Sequence, residues 1–301
     1  MSPTPTPPDA RLRVVHETRH RYTAEVASSR QLLHLVPRQF THQKLLDHRL
    51  AIEPTASEMI AATDYFGNSI NRAVISVPHM ELRVRAESVV ILHARDVAAA
   101  DTCIDPWEQC RDELAAAQTA ADRGAAEFLF DSPHVPASAA LSAFATRIFQ
   151  PRRPLVEAVR ELSSAIHRDF EFDSSATSIS TPIDEVLQIR RGVCQDFAHL
   201  MIGCLRSAGL AARYVSGYIL TNPPPGQPRL IGADGSHAWV SVHMPRLGWT
   251  DFDPTNDCQV DREHVTLAWG RDFSDVTPAR GVILGGGEQK LATQVTVSPE
   301  A

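Results

Sequence analysis

The sequence predicts an α+β protein. An N-terminal antiparallel β-sandwich, or a strongly bent antiparallel sheet, should precede a core in which a helix that opens on a cysteine packs on an antiparallel sheet. Three observations carry this. Short β-branched runs divided by turn residues fill the stretch from Leu12 to about Leu92. Helical spacing then takes over. Beyond a helix that opens at Cys194, period-two alternation returns.

Along the chain, residues 1–10 are Pro-rich and polar and read as a disordered lead-in. Residues 11–93 form the N-terminal β domain. Leu12-Arg13-Val14-Val15-His16 and Ala73-Val74-Ile75-Ser76-Val77 read as strands, and Arg83-Val84-Arg85-Ala86-Glu87 alternates as a strand with one wet face does. Asp64-Tyr65-Phe66-Gly67-Asn68 is a turn signal, because Gly and Asn tolerate positive φ. Residues 94–150 are expected to be a helical bridge, with helices over Glu108–Ala121 and Ala137–Phe149. Residues 151–280 form the core, opening with Leu155, Ala158, Val159, Leu162 and Ile166 on one helical stripe behind Pro154. Ser174–Ser180 is a Ser/Thr-rich loop, and Thr181-Pro182 with Asp184 marks a further helix start. Residues 281–301, with Gly285-Gly286-Gly287, read as a flexible C-terminal tail.

The 301 residues suit two domains or one large one. A net charge of -7 argues against a nucleic-acid backbone as partner. The chain shows no apolar run near the ~20 residues that cross a bilayer and no secretory h-region. A cytoplasmic setting without membrane attachment is therefore expected. There, the five cysteines (Cys103, Cys110, Cys194, Cys204, Cys258) would remain thiols.

The most informative stretch runs from Arg191 to His199. Phe197, Leu200, Met201, Cys204, Leu205 and Ala208 recur with helical spacing and are closed by Gly209. One turn earlier stands Cys194, at or beside the helix N-terminus and just after Gly192. The unpaired N–H groups there favour thiolate over thiol and can stabilise an oxyanion. Cys204 falls in the apolar stripe and reads as an inert core thiol.

Downstream, Ala212–Leu220 reads as a strand, followed by a Pro-rich loop over Thr221–Pro228. Ser236–His243 alternates, so His237 and Trp239 share one face while Ala238, Val240 and Val242 share the other. Trp249–Asp253 is a further strand, stopped by Pro254. A hairpin centred on Pro245 would set His237 directly opposite Asp253; a turn one or two residues later would give Asp253 another neighbour. A carboxylate on one ring nitrogen fixes the tautomer and leaves the other nitrogen to the thiol, which makes an activated nucleophile.

The ordered set Gly192-Val193-Cys194, Asp196-Phe197-Ala198, Gly217-Tyr218, His237-Ala238-Trp239, Trp249 and Asp253-Pro254-Thr255 resembles the transglutaminase-like superfamily, whose core is like that of papain-type proteases. The resemblance implies Cys194 as nucleophile, His237 as general base and acid, and Asp253 as third member. His16-Glu17-Thr18 with Tyr22, Leu35 with Pro37-Arg38, Gln43, and Asp64–Asn68 are similar to the domain that precedes this core in bacterial members. Animal transglutaminases need calcium. No calcium-binding loop is legible here, so activity without metal or cofactor is expected.

His199, five residues past Cys194, is about 500° further round the helix and reads as a packing or hydrogen-bonding residue. Gln195 and Tyr218 are candidate oxyanion donors, and Asp196 reads as a partner for the helix dipole. Trp239 and Trp249 could wall a cleft or fill the core. A zinc site from Cys194, Cys204, His199 and His237 lacks a C-x-x-C pair, and phosphate binding lacks a Walker loop. The expected partner is a peptide or protein amide substrate, with water or an amine as acyl acceptor. The competing reading is an inactive scaffold of the same fold that binds peptides or proteins.

Overall fold

One long strand organises the N-terminal part of the computed structural model, which describes residues 9–117, 119–221 and 235–300. That strand, β1 (Ala10–Leu33), has different neighbours along its two halves. Its first half lies between β5 (His79–Leu92) and β14 (Gln289–Pro299). The second half lies between β4 (Ser69–Ile75) and β13 (Ala279–Gly285). β2 (Gln43–Glu53) extends the sheet beyond β5, and β3 (Glu58–Thr63) extends it beyond β4, giving seven antiparallel strands. Both halves contribute to a shared core of Tyr22, Val26, Leu33, Ile52, Ile75, Leu82 and Val84, much as two sheets of a sandwich do. The expected turn sits between β3 and β4, where Gly67 takes φ +75° and the Asn68 N–H donates to Asp64 Oδ1 at 2.8 Å.

Residues 281–301 are not a free tail. Gly285, Gly286 and Gly287 adopt φ of 94°, 94° and 61° and reverse the chain between β13 and β14. The physical reason is the alternation that follows them: Val295 and Val297 are buried, packed in one cluster with Leu12, Val14, Val90 and Leu92. β14 also covers an edge of β1 that would otherwise leave a row of unpaired backbone groups. The lead-in expected over residues 1–10 lies outside the described residues except for Asp9 and Ala10, the latter opening β1. Of the expected Pro-rich loop, only Thr221 is described.

Residues 94–150 are helical, and they touch both parts: Phe128 packs on Phe66 of the N-terminal part at 5.7 Å and on Trp249 of the core at 5.3 Å. Their helices are α1 (Trp107–Ala116), α2 (Ala120–Ala126) and α3 (Ala139–Ile148). Cys110, Leu141, Phe144, Ala145 and Ile148 sit in one cluster with α4 (Leu155–Asp169) and α6 (Cys194–Ser207). The Ala-rich run divides at Ala117, which takes a left-handed conformation (φ 44°) and ends α1. Ser138 caps α3 by accepting from the Ala140 and Leu141 N–H groups, both at 3.2 Å. The predicted stripe of α4 is fully buried. α5 (Ile183–Ile189) begins just after Pro182, as the sequence suggested.

α6 is buried on all sides from Asp196 to Leu205. A β-carbon on its Gly203 would meet Leu141 Cδ1 at 2.6 Å, so the glycine lets α3 close on it. Its other side packs on a five-stranded antiparallel sheet. The strands are β8 (Ala212–Ile219), β9 (Ser236–Met244), β10 (Gly248–Asp253), β11 (Cys258–Gln259) and β12 (His264–Gly270), in the order β11-β10-β9-β8-β12. Tyr214, Tyr218, Ala238, Val240, Val242 and Phe252 share the cluster that contains α6. The opposite face carries His237, Trp239, Asp251 and Asp253. Two short strands, β6 (Glu171–Phe172) and β7 (Arg191–Gly192), pair in parallel just before α6, and α7 (Phe273–Val276) follows β12. Among the described residues, no helix is long and apolar enough to cross a membrane.

If β14 is structural, ending the chain after Gly285 should cost about 3 kcal/mol or more, since two fully buried valines are lost. Urea melts of the full and shortened chains measure this directly; an unchanged midpoint would restore the tail reading.

Candidate active site

Cys194 is the first residue of α6, preceded by Val193 in an extended conformation (φ −118°, ψ 177°). The helix starts there because Asp196 closes its first turn: its Oδ2 accepts from the Val193 N–H at 2.9 Å and from the Thr177 hydroxyl at 2.7 Å. Gly192 makes room for this. It is paired with Phe172 and buried rather than loose, and a β-carbon on it would lie 2.6 Å from Asp196 Oδ2. Burial raises the Asp196 pKa, with its two hydrogen bonds opposing. Asp196 therefore partners the helix end, as expected. The leading N–H groups of α6 have no intrahelical acceptor, so the helix end beside the sulfur is rich in donors.

The Cys194 sulfur lies 4.0 Å from the carbonyl oxygen of Ser236, the residue before His237 at the start of β9, and helps to raise the pKa of the His237 ring. His237 donates through Nε2 to Asp253 Oδ2 at 2.7 Å. That leaves Nδ1 as the ring nitrogen not bonded to Asp253. The register of β9 and β10 differs from the simple hairpin. Met244 pairs with Gly248 and Val240 with Phe252, so the turn is centred on Arg246 rather than Pro245. Arg246, at φ 67°, supplies the left-handed residue that this turn needs. In that register Asp253 comes level with Trp239 and reaches His237 on the diagonal, on the same face.

Asp253 is completely buried, and five donors meet its carboxylate. Oδ2 accepts from His237, from His264 Nε2 at 3.1 Å and from Asn256 Nδ2 at 2.7 Å. Oδ1 accepts from the Thr255 and Asn256 N–H groups at 2.9 and 3.2 Å. Burial pushes the Asp253 pKa up, but the bonds from His237 and His264 overcome it and hold the group well below the usual carboxylate range. For His237, burial alone would lower the pKa. The Asp253 carboxylate and the Cys194 sulfur outweigh it and raise the value to about 10. The site thus favours an imidazolium beside the sulfur.

Trp239 settles between the two readings offered for it. It is fully buried, tilted against His237 at 6.1 Å and edge-on to His264 at 5.2 Å, so it is a core residue that shields the His–Asp bond. Gly217 permits this, since a β-carbon there would lie 2.4 Å from the indole. The indole N–H donates to Asp251, which also pairs with Arg95 at 2.8 Å. Trp249 lies apart, packed on Phe128 and under Arg213. Tyr218 leaves the oxyanion candidates: it is buried, and its hydroxyl is bonded to His16 Nδ1 at 2.9 Å. Gln195 stays half-buried beside Cys194.

His199 accepts from the Phe273 N–H at 3.2 Å and stacks on His134, with burial lowering its pKa. It packs, as expected. Cys204 faces Leu141 O, and burial pushes its thiol up to about 12, so the four residues of the zinc alternative do not converge. His237, Asp253 and His264 do place ligand-type atoms within 4.8 Å of one another, and hydrogen bonds to one carboxylate oxygen account for that approach. His264 and Asn256 were missed by the sequence reading. The signals were the alternation of His264–Trp269 and the Asp253-Pro254-Thr255-Asn256 turn.

Both parts of the chain match known protein families. Residues 142–254 match the model of the transglutaminase-like superfamily, and residues 12–91 that of the bacterial transglutaminase-like N-terminal region. The chain belongs to the transglutaminase-like superfamily. An uncharacterised protein of Mycobacterium tuberculosis is 40% identical over 93% of this chain and 90% of its own length. A Mycobacterium leprae protein is 30% identical over 96% and 98%. A protein-glutamine gamma-glutamyltransferase of Pseudomonas aeruginosa is 33% identical over 31% of this chain and 15% of its own. Among solved structures, a Cytophaga hutchinsonii protein provisionally assigned as a cysteine protease superposes with a TM-score of 0.77 at 19% identity, covering 98% of this chain and 92% of the other. That likeness shows the shared fold.

The His237 shift fixes a sign for stability. The folded state holds the ring proton more tightly than the unfolded state, so this contribution is complete below about pH 6.5 and fades as the pH rises toward about 10. Urea melts should therefore weaken between pH 7 and 10, and Asp253→Asn should flatten that slope. Equal slopes in the two proteins would contradict the raised pKa.

Proposed function

We propose that this protein is a cysteine-dependent amide-processing enzyme working through Cys194, His237 and Asp253 and an acyl-enzyme. The observation that carries the reading is the 2.7 Å bond from His237 to a wholly buried Asp253, on a ring whose other nitrogen is left to the Cys194 sulfur. A neutral core has no use for a charged pair placed beside a half-exposed thiol at a helix start.

The Cys194 thiolate adds to an amide carbonyl, either of a peptide bond or of a glutamine side chain. Negative charge passes to the carbonyl oxygen, which the Cys194 N–H and the helix end stabilise. As the C–N bond breaks, the His237 imidazolium gives its proton to the leaving amine and a thioester remains on Cys194. Asp253 holds the ring in place and stabilises its charge. His237, now neutral, takes a proton from water, which releases an acid and makes the enzyme a peptidase or amidase. An amine entering instead makes the new amide of a transglutaminase. No step calls on a metal or cofactor. We take water as the ordinary acceptor; the glutamyltransferase name of the Pseudomonas relative supports the amine as a competitor.

Cys194→Ala should lower turnover of a glutamine-containing peptide to background, a loss of at least about 10³-fold, with an unchanged melting curve. Mass analysis with an added amine separates glutamate from isopeptide product. Full activity in the variant would end the proposal. Iodoacetamide should also label Cys194 faster than exposed Cys258 near neutral pH, and equal rates would favour the scaffold reading.

A further inference from the structure

β12 is an edge strand of the core sheet, paired with β8 on one side. Its other side is met by side chains of the N-terminal part. Gln43 Oε1 accepts from the Thr266 N–H at 2.8 Å, and Gln43 Nε2 donates to Thr266 O at 2.7 Å. The Arg38 N–H donates to the same oxygen at 3.1 Å. Asn68 Oδ1 accepts from the Trp269 N–H at 2.9 Å, and Asn68 Nδ2 donates to Trp269 O at 2.8 Å. Two buried amides thus give β12 the donor and acceptor pattern of a neighbouring strand. The Arg38 guanidinium lies 3.5 Å over the Trp269 ring and bonds to Asn68, which closes the latch.

β12 begins at His264, whose Nε2 meets the same Asp253 oxygen as His237 does, while its Nδ1 is buried with no hydrogen-bond partner among the described residues. Beyond this one hydrogen bond and the edge of Trp239, the ring depends on its strand for its position. We propose that His264 is a positioning residue for the triad and that the N-terminal domain serves the site through β12, the amides of Gln43 and Asn68 keeping His264 on Asp253. This rests on the acyl-transfer reading above. The role follows from geometry: Oδ2 has His237, His264 and Asn256 as donors. With His264 gone the carboxylate gains freedom to turn, and the His237 ring loses its fixed acceptor.

The test reads the iodoacetamide labelling rate of Cys194 in the full chain at neutral pH by peptide mapping, which requires no knowledge of the substrate. His264→Leu should slow labelling about tenfold, the scale of a hydrogen bond to a charged group, whereas His264→Gln, which can still donate, should stay within about threefold of the parent. Gln43→Ala should fall between them. In an Asp253→Asn background His264→Leu should have no further effect, because a residue acting through Asp253 is not additive with it. Parent rates in His264→Leu and Gln43→Ala, or a full additive loss in the Asp253→Asn background, would overturn the proposal. Should His264→Leu fail to fold, His264→Gln and Gln43→Ala decide: a slow Gln43→Ala beside a near-normal His264→Gln supports it, and a parent-like Gln43→Ala overturns it. Failure of the underlying reading looks different, since Cys194 of the parent would then label no faster than Cys258.

Discussion

A carboxylate without access to water is tolerated only where donors surround it, and Asp253 is such a group. Five donors converge on it from three places: β9, β12 and the turn after β10. Much of the architecture around the site answers that need. Pro254 ends β10 so that the chain can turn its Thr255 and Asn256 N–H groups back onto Oδ1. β9 and β12 bring two imidazoles to Oδ2. Trp239 closes over both rings, held in turn by Asp251 and Arg95 and admitted by the missing β-carbon of Gly217. The same constraint gives the site its chemistry, because an anion fixed in a dry place keeps the adjacent His237 protonated.

The two parts of the chain are joined by apolar contact and by hydrogen bonds that have different consequences. Leu12, Val14, Val295 and Val297 of the N-terminal sheet share one cluster with the helices and sheet of the core. That contact supplies area. Gln43, Arg38 and Asn68 instead meet the backbone of one strand, and His16 meets the Tyr218 hydroxyl at 2.9 Å. These directional contacts fix register rather than area, and they fall on β8, which pairs with the His237 strand β9, and on β12, which carries His264. Of the N-terminal motif residues, His16, Arg38, Gln43 and Asn68 therefore turn toward the core, whereas Tyr22 and Leu35 fill the domain's own cluster.

How much of this was legible in the sequence depended on how local each signal was. The helix carrying Cys194, the stripe of α4 and the shared face of His237 and Trp239 came from periodicity within a dozen residues. The order of Cys, His and Asp came from a motif set. Features set by distant partners were harder to read. Gly285-Gly286-Gly287 suggested a tail because composition dominates over the short alternation that follows, and β14 finds its partner at the opposite end of the chain. His264 carries no local signal of its role, which lies in a carboxylate eleven residues away and a strand held by Gln43. The centre of the β9–β10 turn stayed open between Pro245 and the residues just after it, because Pro245 is the more visible turn former while Arg246 takes the left-handed position.

The central claim is that Cys194 carries the acyl group. Brief exposure of the full chain to p-nitrophenyl acetate, acid quench and mass mapping of each cysteine peptide tests it without knowledge of the natural substrate. The account predicts an acetyl thioester that accumulates first on Cys194 and that disappears on standing at neutral pH. An adduct formed first on Cys258, or none on Cys194 while the protein remains folded, would contradict it.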